Sequence, residues 1–403
     1  WIFNSRVDSL HPFLAINDSV FQLTLIAPFQ PILGILSMQY CSIVPSEAVE
    51  KYGKDFRRHP VGTGPFAFTA WEEGQALILK KNNRYFEKDS SGYPLPYLDG
   101  IHVSFYDSKA TEFLEFRQER LDFINDIDAS FKDEVLTKTG HLKKQWEGKL
   151  LLQKHPYLNI EYLGILADSS NPLVRSSPLK WLKIRQAISY GIDRKKMMLY
   201  LRNSIGTVAE NGFVPPGLPS FDAALVKGYV YDPGKAKQLL KEAGYNSSNP
   251  MPEIKLLTIP NYAALGTYIV NELKQLGINA VVETVQKSLL LEQTAKSQAL
   301  FFRGSWIADY PDAENYLSVF YGKNPAPPNY TRYNNPAFDE LYEQALQEQN
   351  DSLRYGLYRK MDNLMPVIPL WYDMVLHLVH PYVHQFTCNS LNMLELRRVQ
   401  KDR

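Results

Sequence analysis

Cysteine is nearly absent from this 403-residue chain: only Cys41 and Cys388 occur. No zinc-type spacing and no Cys-x-x-Cys redox pair is present, and two free buried thiols are expected rather than a disulfide framework. An excess of charge is lacking too. Lys plus Arg number 44 and Asp plus Glu 43, a net charge of +1. That balance argues against a nucleic-acid binder, which relies on a basic excess or stripe. Long apolar runs are also missing. The stretch from Phe21 to Met38 is interrupted by Gln22, Thr24, Pro28, Gln30, Pro31 and Gly34, far short of the about 20 apolar residues a spanning helix needs. Aromatics, in contrast, are abundant, with 25 Tyr, 20 Phe and 6 Trp. This surplus reads either as ligand-contact area with polar tips or as an aromatic core. The length corresponds to two or three domains.

Periodicity supplies a mixed α/β pattern. "SVFQLTLIAPF" alternates as a half-buried strand, and Ser46 is placed to cap a helix to Tyr52. Phe66–Glu72 and 75–81 read as a hairpin through Gly74. Asp107 or Ser108 caps a helix from Lys109, and "RLDFIND" is a short strand. Apolar residues at helical spacing mark "WLKIRQAISYGID", and Asp193 caps the helix after it. In "YDPGKAKQLLKEAGY" Asp232 is the N-cap, Pro233 the first helical residue and Gly244 the stop. "PEIKLLTI", "YAALGTYIVNELKQLG" and "INAVVETV" give strand, helix, strand, the mark of an α/β lobe. Two further helices, "NPAFDELYEQALQEQ" and "LRYGLYRKMDNLM", precede the extended "PVIPLWYDMVLHLV".

Several phrases stand in one order: "GTGPF", "PLPYLD", "RQAISYGIDR", "VPPGLP", "YDPGKAKQLLKEAGY", "LKQLGINAVVE", "SWIADYPDAENYL", "NYTRYNNPAFDELYEQA" and "MPVIPLWYD". Together they resemble the bacterial extracellular solute-binding proteins of family 5, which include the oligopeptide- and dipeptide-binding proteins of ABC importers. The likeness runs over nearly the whole chain. It implies a type II, cluster C periplasmic-binding-protein fold of two α/β lobes joined by a hinge, plus an extra inserted domain. On that analogy residues 1–58 are a remnant of the inserted domain. Residues 59–170 and 376–403 form the first lobe, and 171–375 the second ligand-binding lobe. The chain starts at Trp1, and the resemblance implies that about 100 or more residues of a full member precede it, beyond the one-domain scale. Binding by such a fragment is expected to be weak or absent.

The resemblance also implies a function. A family member captures a di- or oligopeptide between its lobes and delivers it to a membrane permease, outside the cytoplasm, as a monomer and without cofactor. A lipid anchor in the preceding segment is part of that expectation. Phe301–Tyr321, "FFRGSWIADYPDAENYLSVFY", resembles the segment that holds the peptide main chain. Asp309 matches the acidic residue that pairs with the free amino terminus. An ammonium removed from water needs such a partner. Trp306, Gly304 and Ser305 would supply an apolar wall and strand-like pairing, and Arg303 a planar fork for the peptide carboxylate. Each has an ordinary structural reading beside this one: Asp309 as a turn or cap residue, Trp306 as core. Asp312 and Glu314 fit the first turn of a helix, where the dipole favours acids.

Other chemistries find less support. "GTGPF" lacks the Lys and Ser/Thr of a phosphate-binding loop and reads as a turn. His377, His380 and His384 lie close in sequence, but Pro381 breaks any helix, and on an extended chain His377 and His380 face opposite sides. No metal site is therefore expected, and no catalytic residue is assigned. The alternatives are a non-peptide solute such as a nickel complex, haem, a sugar or an opine; a hydrolase using Asp309, Asp312 or Glu314; and a relative that no longer transports.

Overall fold

In the computed structural model, residues 7–402 are described, apart from 9 and 128. The chain divides into two compact units. Unit 1 comprises residues up to Met38, Leu158–Arg202 and Gly206–Asp373; unit 2 comprises Gln39–Tyr157, Asn203–Ile205 and Met374 onward. The boundaries fall inside two long strands, Leu151–Ile165 and Ile368–Val379. The described residues up to Met38 group with unit 1 and 39–58 with unit 2.

Unit 1 is built on the strand–helix–strand segment. Ile254–Thr258 and Ala280–Thr284 pair in parallel, with Ile254 opposite Ala280. Between them runs the helix Ala263–Gln275, which buries Leu265, Ile269, Val270 and Leu273. A parallel pair needs such a crossover. Gly277, at φ +87°, ends the helix in a conformation costly for any other residue. The core joins these side chains to Ile184, Ala187 and Ile188 of the helix Leu182–Gly191, and to Leu163, Ile165, Phe301, Leu370 and Trp371. Each fully buried aliphatic or aromatic side chain contributes about 1.5–3 kcal/mol. The helix Pro233–Glu242 starts where expected: Asp232 accepts from the Lys235 N–H at 2.8 Å, and Pro233 opens the first turn. Asp193 likewise accepts from the Lys196 N–H at 3.0 Å.

The expected half-buried strand near residue 20 is different. Phe13–Asn17 and Val20–Leu23 form a hairpin whose side chains, apart from Leu23, are exposed. A two-stranded ribbon has two faces, and alternation alone cannot say whether either is covered. The helix Ser46–Tyr52 has the expected limits, but Pro45 stands at its N-cap with no side-chain cap bond, so Ser46 does not cap it.

Unit 2 contains the antiparallel sheet Phe66–Glu72, Ala76–Lys81 and Gly100–Ser104. Its first turn passes through Gly74 at φ +75°. Phe123–Asn125 pairs with His377–Val379. Phe113, Phe116, Ile124, Val135, Leu376 and Leu378 make its main core. The "GTGPF" loop is a turn whose Gly64 carbonyl accepts from Asn82 Nδ2 at 2.8 Å.

Candidate ligand-binding site

The segment Phe301–Tyr321 lies in unit 1 and begins as the strand Phe301–Ile307. One edge pairs with the Leu151–Ile165 strand over its whole length, from Phe301 opposite Ile165 to Ile307 opposite Asn159. The other edge pairs with Ile254–Thr258 at Phe302 alone. Beyond that point residues 303–307 have no strand on their second side among the described residues. Unpaired backbone groups on a strand edge are a template for another extended chain. Burial falls along this stretch, from buried Phe302 to exposed Ser305 and Ile307, with Gly304 and Trp306 half-buried.

Gly304 is explained from within the fold. It stands opposite Tyr162, and a Cβ there would lie 2.6 Å from the Tyr162 ring. Trp306 and Asp309 are tied together by Asn315, which is fully buried. Its Oδ1 accepts from Trp306 Nε1–H at 2.9 Å and from the Asp309 N–H at 3.2 Å. The Asp309 side chain is exposed, and its carboxylate has no ion-pair or hydrogen-bond partner among the described residues. The segment therefore fixes the backbone of Asp309 and leaves its charge available.

Arg303 is placed otherwise. It is 9% exposed, forms an ion pair with Glu161, and lies over the Tyr262 ring with its guanidinium carbon 3.5 Å from the centroid. Tyr262 Oη–H donates to Glu161 Oε1 at 3.3 Å. Burial raises the Glu161 carboxyl above its ordinary range, and Arg303 pulls it back. Nearby in the same unit, Arg202 pairs with Asp373 at 2.6 Å, and Asn159 Nδ2 donates to the same carboxylate at 3.1 Å. Sequence reasoning missed Glu161, Asp373, Arg202, Asn159 and Tyr262. A signal existed for Glu161: it interrupts the apolar run "YLNIEYLGI".

Asp312 and Glu314 serve the next helix, Ala313–Leu317. Asp312 is its N-cap, accepting from the Glu314 N–H at 2.8 Å, and burial raises its carboxyl. Glu314 is fully buried and accepts from the Tyr310 and Tyr342 hydroxyls. Much of the aromatic surplus is core in this unit: Tyr162, Phe213, Phe320 and Phe338 pack edge to face. A separate cavity of about 600 Å³ is lined by Asp168, Arg185, Asn324, Asn329, Arg332 and Tyr333, among others, and does not include Asp309.

The three histidines near the C-terminus go to different partners. His377 Nε2 meets Asn392 Oδ1, His380 stacks on Phe116 and bonds its carbonyl, and His384 meets Asp402.

Residues 9–328 match the family model for bacterial extracellular solute-binding proteins, family 5, middle region. This chain belongs to family 5. Among relatives of this family 5 protein, heme-binding protein A of Haemophilus influenzae is 26% identical over 370 residues, covering 88% of this chain and 63% of the relative. The glutathione-binding protein GsiB of Escherichia coli O157:H7 is 27% identical over 381 residues, covering 88% and 67%. The family 5 chain thus spans about two thirds of the length of these relatives. Among solved structures, the periplasmic binding protein DppA of Helicobacter pylori, in complex with the peptide STSA, superposes with a TM-score of 0.78 at 23% identity, covering 100% of this chain and 75% of that one. The substrate-binding protein CtaP of Listeria monocytogenes gives 0.81 at 20% identity, covering 99% and 79%. These likenesses establish the type II periplasmic-binding-protein fold for the family 5 chain. The family is described as one of extracellular solute-binding proteins. No helix among the described residues is long and apolar enough to cross a membrane.

Proposed function

We propose that this chain is the ligand-holding part of an ABC importer's substrate-binding protein, and that its ligand is a short peptide with a free amino terminus. Unit 2 and unit 1 correspond in this reading to the first and second lobes of the family fold. The partner is a membrane permease, the protein acts as a monomer, and nucleic acid has no role.

The observation that carries the reading is the strand Phe301–Ile307, open on one edge from residue 303 and followed by the unpartnered carboxylate of Asp309. An extended peptide adds to the open edge through main-chain bonds at Gly304 and Ser305, which read no side chain. Its ammonium pairs with Asp309, setting the register. Trp306 walls the ligand. Arg303 is already paired with Glu161, and its role toward a ligand carboxylate stays part of the proposal. A hydrolase reading draws no support from Asp312 and Glu314, since one caps a helix and the other is held by two tyrosines.

Titration calorimetry with a tripeptide and its N-acetylated form tests the proposal. Asp309→Asn is expected to weaken the free-amino peptide about 10- to 100-fold, the range of a hydrogen bond to a charged group, and to leave the acetylated form unchanged. Equal binding of both forms by the unsubstituted protein sinks the amino-terminal assignment.

A further inference from the structure

Unit 2 holds a group of side chains that peptide binding does not use. One ring nitrogen of His155, one of His377 and the Cys388 sulfur all lie within 4.8 Å of one another. His155 stands on the Leu151–Ile165 strand and His377 on Ile368–Val379. Cys388 begins a tight C-terminal loop that bridges to Leu394. Asn389 closes that loop, accepting from the Leu391 and Met393 N–H groups at 2.9 and 3.0 Å. The thiol forms no disulfide.

The state of His377 singles this group out. Asn392 Oδ1 lies 3.1 Å from its Nε2. An amide oxygen only accepts, so Nε2 carries the ring proton and Nδ1 keeps its lone pair. That Nδ1 is buried and has no hydrogen-bond partner, in a residue with 0% exposure. An unsatisfied buried acceptor costs about 1–3 kcal/mol. A ligating histidine shows the same arrangement: one nitrogen donates to an oxygen and the other faces the metal. His155 repeats it more loosely. Its Nε2 is 3.4 Å from Gln153 Oε1, and Gln153 is itself anchored by donating to the Phe386 carbonyl at 3.0 Å. The rings of Phe123 and Phe386 stand nearly perpendicular to His377, at 6.1 and 5.3 Å, and shield it.

We propose that His155, His377 and Cys388 form a binding site for a borderline-soft divalent transition metal, best matched by zinc, with Asn392 and Gln153 orienting the two imidazoles. Imidazole and thiolate donors suit zinc or copper and not magnesium or calcium. Three protein ligands leave a fourth position open to water. Bonds of about 2.0–2.3 Å would draw the donor atoms to within about 3.3–3.8 Å of one another. The half-buried Cys388 loop can supply that contraction. On binding, the Cys388 thiol proton passes to solvent and the sulfur ligates as thiolate. The bound ion ties two strands to the C-terminal loop.

Cobalt(II) is the probe for the reduced 403-residue protein. One equivalent is expected to give a near-ultraviolet thiolate-to-cobalt band and visible bands of tetrahedral intensity, and zinc should displace it and raise Tm. Cys388→Ser should abolish the thiolate band, and Cys41→Ser should not. Asn392→Ala should retain the band and weaken cobalt affinity about tenfold, the scale of an outer-shell loss. Circular dichroism of each variant separates loss of the site from loss of the fold, and His155→Gln alters only a half-buried side chain. No thiolate band at one equivalent, or a band that survives Cys388→Ser in a folded protein, overturns the site. Failure of zinc to displace cobalt overturns the zinc assignment.

Discussion

Asp362 shows how a single buried group sets a pH dependence. It accepts from the Phe213 N–H at 2.6 Å and the Val214 N–H at 3.3 Å, and it is 3% exposed. Burial outweighs those two bonds and pushes its carboxyl up to about 7. In the unfolded chain the same group ionises near pH 4. Between these values the folded state keeps a proton that the unfolded state has lost. Stability therefore falls as pH rises from about 4 to about 7, by at most about 1.4 kcal/mol per unit, and levels off above. Urea unfolding across that range should show a flatter profile for Asp362→Asn than for the parent. An unchanged slope would assign the dependence to other groups. Gly212 belongs to the same contact: at φ +93°, a Cβ there would lie 2.3 Å from Asp362 Oδ2.

At the scale of elements, the strand Phe301–Ile307 carries two demands at once. Its paired edge and Gly304 serve the packing of Tyr162, and its open edge is the one proposed for the ligand. Gly304→Ala should destabilise unit 1 by about 1–3 kcal/mol, the cost of overpacking, because Tyr162 is 3% exposed and must shift. Chemical denaturation measures this directly. Wild-type stability in that variant would show that Tyr162 relaxes freely. Helix limits at this scale were legible beforehand, since Asp232, Asp193 and Gly277 act on neighbours within a few positions. The exposed hairpin Phe13–Leu23 was not, because alternation marks a strand without saying what covers it. Only part of the proposed site's geometry was legible. Asp309 and Trp306 stand out in "SWIADYPDAEN", but the Asn315 amide that joins them required the turn to be seen.

For the molecule as a whole, the balance of 44 basic and 43 acidic side chains governs non-specific association. Phosphate backbones bind through released counterions, which takes a positive surface excess. A fluorescent oligonucleotide at low salt should therefore show no saturable binding. Saturable binding that weakens with salt would reveal a basic face hidden in the net count. Two units share the chain by exchanging segments along two long strands, so neither is one continuous stretch of sequence.

What the sequence determined by itself is local in origin. Caps, turns and the 2- and 3.6-residue periods depend on neighbours a few positions away, and colinear phrases placed the chain in its family. Only the tertiary structure decided the partners of charged and ligating side chains. Arg303 reads as a free fork in the sequence, yet folding sets it against Glu161 and Tyr262 from distant segments. His377 reads as one of three neighbouring histidines, yet folding separates it from His380 and His384 and brings it to His155 and Cys388. Burial selects these pairings, because a polar group removed from water takes whichever partner the packed strands bring within reach.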